Sequence, residues 1–83
     1  MTRAQRALTP LQRQALAYVV LNPECRVQSV AYGISREWAQ ARIILDALLA
    51  HGYVGMQQAF VGKRLVWVAT AAGVEAAALE ARV

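Results

Sequence analysis

Arg36 and Gln40 stand four residues apart in the run SREWAQARIILDALLAHG, so on a helix they share one face near its start. A guanidinium and a carboxamide are the side chains that make paired hydrogen bonds to guanine and adenine edges in a DNA major groove. Ala39 and Ile43 lie on the same face and offer only methyl groups, suited to a thymine methyl or to a protein surface. Ser35 is placed to accept a backbone N–H as a helix cap, and Glu37 sets negative charge at the positive helix start. Ser35, Arg36, Glu37, Gln40 and Ile43 are therefore the candidate DNA-facing residues of this stretch. Lys63 and Arg64 in VGKRL add cations suited to phosphate. Arg3 and Arg6 in residues 1 to 8, MTRAQRAL, are either a flexible basic arm along a DNA backbone or a solvated terminus.

Catalytic groupings are poorer. His51 and Asp46 are five residues apart, off-register for one helical face, and Ser29 and Ser35 are the upstream hydroxyls available as nucleophiles. The sequence has no glycine-rich phosphate loop, no paired carboxylates in an apolar setting and no His/Cys ligand cluster. The expectation is a protein that is not an enzyme and uses no cofactor and no metal.

The elements that must position these residues centre on RVQSVAYGISREWAQARIILDALLAHGYV, residues 26 to 54. Gly33, Ile34 and Ser35 read as a turn, followed by a helix over 36 to 51 that Gly52 ends in a left-handed conformation. Such a helix is roughly 24 Å long and, opened by a sharp turn after a short partner helix, matches the way a helix-turn-helix presents its reading helix. Ile34, Trp38, Ala41, Leu45, Leu48 and Leu49 form the expected core stripe, with Ile44 at its margin. Asp46 and Ala47 join Arg36, Ala39, Gln40 and Ile43 on the opposite face.

Ahead of this unit, Thr9, Pro10 and Gln12 open a helix over 10 to 21, which Asn22 and Pro23 close. Leu11, Ala15 and Tyr18 mark its core stripe, leaving Leu16 and Val20 on the far side as a subunit contact. An extended stretch over 26–28 precedes a brief helix that includes Ser29 to Tyr32, with Val27, Val30 and Ala31 buried. Tyr53 to Phe60 and Leu65 to Ala69 are β-leaning runs joined by a basic tip, and Leu65 to Val68 is apolar on both faces. Thr70 caps a last, alanine-rich helix over about 71 to 81, with Val74 and Leu79 as its larger anchors on the body or on a second subunit. The fold class is mostly α with a small β-hairpin, in the order α-α-α-β-β-α.

With 58% apolar and 17% charged residues, the 83-residue chain holds enough hydrophobic material for a single small domain, 1–83, without disulfides. The 9 Lys+Arg against 5 Asp+Glu leave a charge of +4, which favours an anionic partner such as nucleic acid. Cys25 is the only cysteine and reads as a small buried thiol in a reducing compartment. No signal peptide or bilayer-length apolar run is visible, so the expected location is cytoplasmic, with no membrane partner.

Three stretches resemble the winged helix-turn-helix family, especially the MarR-like bacterial regulators. GISREWAQARIILDALLAHGYV is similar to the reading helix with its Gly-x-Val exit into the wing, KRLVWVATAAG to the second wing strand and the segment after it, and LTPLQRQAL to the first helix. The Ala-Arg-Ile-Ile run also resembles the DNA-reading winged domain of bacterial DNA translocases. The likeness spans roughly residues 8 to 80. It implies a transcriptional regulator that binds double-stranded DNA as a homodimer, with the 36–51 helix in the major groove and the 62–64 tip on phosphates. The chain departs from the family in having fewer residues between Ala31 and Gly33, and in lacking the long flanking helices that dimerise and form an effector pocket. The alternative function is a winged-helix adaptor or inhibitor that binds a protein partner through Ala39, Ile43 and Ala47 with Leu16 or Val20, and no DNA.

Overall fold

The computed structural model describes residues 8–59, 62 and 64–81. They form α1 (Pro10–Leu21), α2 (Val27–Ile34), α3 (Trp38–Ala50), β1 (Val54–Gln58), β2 (Leu65–Ala69) and α4 (Ala71–Ala81). This is the helical order with one hairpin expected from the sequence. Phe60, Val61 and Lys63 of the expected hairpin, and Arg3 and Arg6, lie outside the described residues.

Local chemistry sets the bounds of α1. The Thr9 hydroxyl accepts from the Gln12 N–H at 3.1 Å while the Gln12 carboxamide oxygen accepts from the Thr9 N–H at 3.0 Å, a reciprocal box that satisfies two otherwise orphaned donors. At the other end, the Asn22 side chain and backbone N–H groups both donate to the Tyr18 carbonyl at 2.9 Å. The phase of this helix differs from the sequence reading. Leu16 is fully buried within the chain's own core and Val20 packs half-buried against it, so Leu16 is no subunit contact. Ala15 is buried, but Leu11 and Tyr18 are only partly so. The cause is that α1 touches α2, α3, β2 and α4, so more of its circumference is covered than a single-stripe reading allows. Leu8, placed by sequence in the basic arm, is also core at 4% exposure, and its carbonyl accepts from Arg13 Nη1 at 2.9 Å.

β1 and β2 pair antiparallel, with Val54 opposite Ala69 and Gln58 opposite Leu65. The extended stretch expected over 26–28 is instead a single bridge at Cys25, because residues 27 and 28 already belong to α2. Cys25 and Trp67 exchange both backbone bonds, Cys25 N–H to the Trp67 carbonyl at 3.2 Å and Trp67 N–H to the Cys25 carbonyl at 2.7 Å. Trp67 is thus held from both sides of β2, and its side chain is the largest of those fully buried. Val66, on the opposite face of the strand, is buried as well, so this chain covers both faces itself.

Thr70 opens α4 as expected, its hydroxyl accepting from the Gly73 N–H at 3.0 Å and donating to the Gly52 carbonyl at 2.6 Å. Gly73 is required by close approach: a Cβ there would stand 1.9 Å from the Tyr53 carbonyl oxygen. Docking of α4 therefore uses Gly73 with Ala76 and Ala77. The larger residues expected as anchors, Val74 and Leu79, are exposed, because a helix brought this near by a glycine presents its small face inward. Among the described residues no helix is long and apolar enough to cross a membrane.

This packing has two consequences for stability. Leu16→Ala should cost about 2–5 kcal/mol, as a buried leucine does, whereas Ile43→Ala on the open face of α3 should stay within about 0.5 kcal/mol; urea denaturation ranking Ile43 above Leu16 would contradict this packing. Burial pushes the Cys25 thiol above its ordinary range, so the fold keeps its proton after the unfolded chain has lost it. Stability should therefore fall as pH rises past the unfolded thiol's value, roughly 8.5, and replacing Cys25 by Ala should remove that part of the alkaline loss in parallel denaturation curves.

Candidate nucleic-acid interface

The turn between α2 and α3 decides what α3 can present. α2 runs through Gly33 and Ile34, two residues beyond the expected break, and ends at Ser35 with φ 58° and ψ 47°. Ser35 N–H donates to the Tyr32 carbonyl at 3.2 Å and Arg36 N–H to the Ala31 carbonyl at 2.9 Å, the paired reverse bonds of a Schellman closure. Ser35 thus closes α2 and does not cap α3. Glu37 takes the N-cap position with no side-chain bond, its carbonyl accepting from the Ala41 N–H at 3.0 Å, and α3 begins at Trp38 and not at residue 36. The Glu37 carboxylate still lies at the positive helix end, in keeping with the sequence reading. Gly33, inside α2, approaches Tyr18 of α1 so closely that a Cβ would meet its ring at 2.5 Å, which fixes the short helix against the long one.

Two residues read as one stripe have different fates. Ile34 is buried, but as the last residue of α2; Trp38 shares the side of Ala41 and Leu45 yet is 55% exposed and not core, because it opens α3 one turn ahead of the covered stretch that begins at Ala41. Ala41, Leu45 and Leu48 are the buried residues of α3, with Ile44 partly buried beside them. Leu49 is 40% exposed, about 100° round the helix from Leu48 and outside the buried sector. Gly52 ends α3 with φ 80° as anticipated, and the His51 ring stacks on Tyr53 at 5.3 Å between centroids.

Arg36, Gln40 and Ile43 all reach solvent along the outer side of the turn and α3, with Ala39 between them. The Arg36 guanidinium rests on the Ser35 carbonyl at 3.0 Å, an exposed bond that a ligand can replace. At the wing, Ala59 N–H donates to the Arg64 carbonyl at 2.7 Å, closing the hairpin and setting exposed Arg64 at its base, and Gly62 has φ 82°. Three residues escape a reading of the sequence alone. Tyr32, 87% exposed at the end of α2, and Trp38 add aromatic rings beside the start of α3. Arg42 forms an i,i+4 pair with Asp46 at 3.1 Å and lies 5.8 Å from the centre of the Trp67 ring, joining α3 to the wing. Its i,i+4 spacing to Asp46 is a visible signal; the Trp67 contact is not, since the two residues meet only in the fold. Among the described residues, no group of three His, Cys, Asp or Glu side chains is placed to hold a metal ion.

Comparison with known proteins places this geometry. No family model and no curated protein matches the chain. Among solved structures, a probable transcriptional regulator from Pseudomonas aeruginosa superposes with TM-score 0.83 at 20% identity, over 90% of this chain and 57% of that one. The zinc-responsive MarR family member ZitR from Lactococcus lactis superposes with TM-score 0.77 at 19% identity, over 94% and 54%. FabT from Streptococcus pneumoniae, solved in complex with DNA, gives TM-score 0.80 at 14% identity, over 90% and 53%. The chain therefore spans just over half the length of these proteins, and the fold is the MarR-like winged helix.

A serine held in the left-handed region is strained relative to glycine, by roughly 1–2 kcal/mol less the entropy a glycine adds to the unfolded chain. Ser35→Gly should accordingly raise stability by about 0.5–1 kcal/mol in urea denaturation; a loss of stability would mean that Ser35 does not close α2 in this conformation.

Proposed function

We propose that this chain is a DNA-binding transcriptional regulator and not an enzyme, with the 36–43 end of the turn and α3 in the major groove and the 62–64 wing tip on neighbouring phosphates. The supporting observation is the exposure of Arg36 in a sharp turn and of Gln40 and Ile43 on the helix that follows it, in a fold shared with a structure solved in complex with DNA. An α-helix fits the major groove, and a cation set to one side reaches the adjoining backbone. In this reading Arg36 and Gln40 bond base edges, and Ser35 offers its hydroxyl to a phosphate. Glu37 acts on the helix dipole, because a carboxylate repels phosphate. Lys63 and Arg64, joined by Arg3 and Arg6 of the terminal arm, contact phosphates without regard to sequence.

Two copies acting together would set two α3 helices on successive half-sites about one helical turn apart, so the active form is proposed to be a homodimer. With Leu16 inside the core, the surface for this lies elsewhere, and exposed Val74 and Leu79 on α4 are the apolar residues proposed for it. The rival protein-binding face loses Leu16 in the same way and keeps only Ala39, Ile43 and Ala47 with half-buried Val20. Activity inside the cell on chromosomal DNA is part of the proposal.

Base and phosphate contacts fail differently, which gives the test. On a duplex selected from a random pool, Arg36→Ala should weaken binding by about 1–3 kcal/mol and relax preference at one base pair. Lys63→Ala combined with Arg64→Ala should weaken all duplexes alike and flatten the log–log salt dependence by about 2. If both variants bind as the parent does, or the parent binds no duplex at low salt, the proposal is wrong.

A further inference from the structure

The outward face of α3 is apolar at its centre. Ile43 is 69% exposed, and Ala39, one turn earlier, is exposed beside it. The polar groups on this face are distributed unevenly. Gln40 is exposed on one flank; on the other, the Asp46 carboxylate accepts from Arg42 Nε at 3.1 Å and so is already engaged. A free carboxylate there would seek the amino group of cytosine, but this one is committed to a guanidinium that is itself drawn toward Trp67. Exposed Arg36 and Arg64 outnumber the exposed Glu37 at the helix start, and the chain charge is +4, so the complementary partner is a polyanion that bears methyl groups.

In a duplex major groove, the thymine C5 methyl is the apolar group among the base edges, and adenine presents the N7 acceptor and N6 donor that a carboxamide pairs with. Gln40 and Ile43 are three residues apart, a rise of about 4.5 Å, between one and two of the roughly 3.4 Å base steps, so the two side chains reach different base pairs. Resting on the DNA-binding reading above, we propose that α3 selects A·T pairs, with Ile43 and Ala39 packed on thymine methyls and Gln40 bonded to an adenine on an adjacent step. The ligand is thus duplex DNA whose half-site centre is A·T, recognised by shape and methyl contact more than by charge.

Replacing thymine by deoxyuridine removes the methyl and leaves base pairing unchanged. On a duplex selected from a random pool, the parent should lose about fourfold in affinity at one or two thymine positions when these are made uracil, one methyl each. Ile43→Ala should lose a similar factor on the thymine duplex and nothing more on the uracil duplex, while Gln40→Ala should lose discrimination at a neighbouring adenine. Matching circular dichroism spectra of parent and variants would show that both exposed positions leave the fold intact. The proposal is overturned by a selected half-site centred on G·C pairs. It is also overturned if uracil and thymine duplexes bind equally at every position, an outcome that leaves salt-dependent, site-specific binding standing. Loss from Ile43→Ala that is the same on both duplexes removes Ile43 as the methyl reader, and absence of any duplex binding at low salt overturns this inference together with the regulator reading.

Discussion

Trp67 ties the wing to the helices, and the rest of the arrangement depends on it. Its backbone exchanges both hydrogen bonds with Cys25 on one side and pairs with Met56 in β1 on the other, while its indole fills the core at 1% exposure. Truncating so large a buried ring removes about 3–5 kcal/mol of packing, a large share of what a small domain has. The bridge also fixes geometry. Cys25 leads directly into α2, so the strand that carries the wing is pinned at the entrance to the helix-turn-helix, and Arg42 on α3 faces the same ring. The second wing strand and α3 are thus tied to the same buried ring.

Beside this anchor, the turn at Ser35 sets the exit angle of α3, and the turn at Gly52 returns the chain to the sheet. Thr70 then closes the circuit by bonding back to Gly52 and Tyr53, so that α4 begins where α3 ends. The half-exposed Arg42–Asp46 pair contributes little to stability, since exposed ion pairs are worth at most about 1 kcal/mol. Its consequence is electrostatic: it offsets one of the two negative charges beside this face, leaving Glu37 at the start of α3 as the other. The residues left outward on α3 are small, short and apolar at the centre, which suits close approach to a groove more than long-range attraction.

Much of this is legible in the sequence because it is governed by local chemistry. The capping box at Thr9 and Gln12, the cap at Thr70, the left-handed Gly52 and the strand Leu65–Ala69 each depend on a few neighbouring residues and fall where read, while the first strand, Val54–Gln58, is shorter than the β-leaning run from Tyr53 to Phe60. Sequence and structure part where tertiary contacts decide. A single-stripe reading of α1 turns Leu16 outward, but the chain wraps that helix on several sides. Trp38 and Leu49 look inward by spacing alone, but Trp38 stands a turn ahead of the covered stretch that begins at Ala41, and Leu49 lies at the edge of the buried sector. Ser35 resembles a cap for α3 because serine favours that position, yet the structure uses it to close α2. At the candidate interface, the outward direction of Gln40 and Ile43 is legible from spacing within α3, whereas the place of Arg36 in the turn and the Arg42–Trp67 contact require the folded arrangement.

Whether the start of α3 and the wing together meet duplex DNA is tested directly by amide chemical-shift mapping in NMR, on titrating a short duplex at low salt. The largest changes are expected over residues 35–43 and 62–64, fading as salt is raised, with the α4 amides little moved. Changes concentrated on α4, or a spectrum that DNA leaves untouched at low salt, would contradict this surface as the DNA contact.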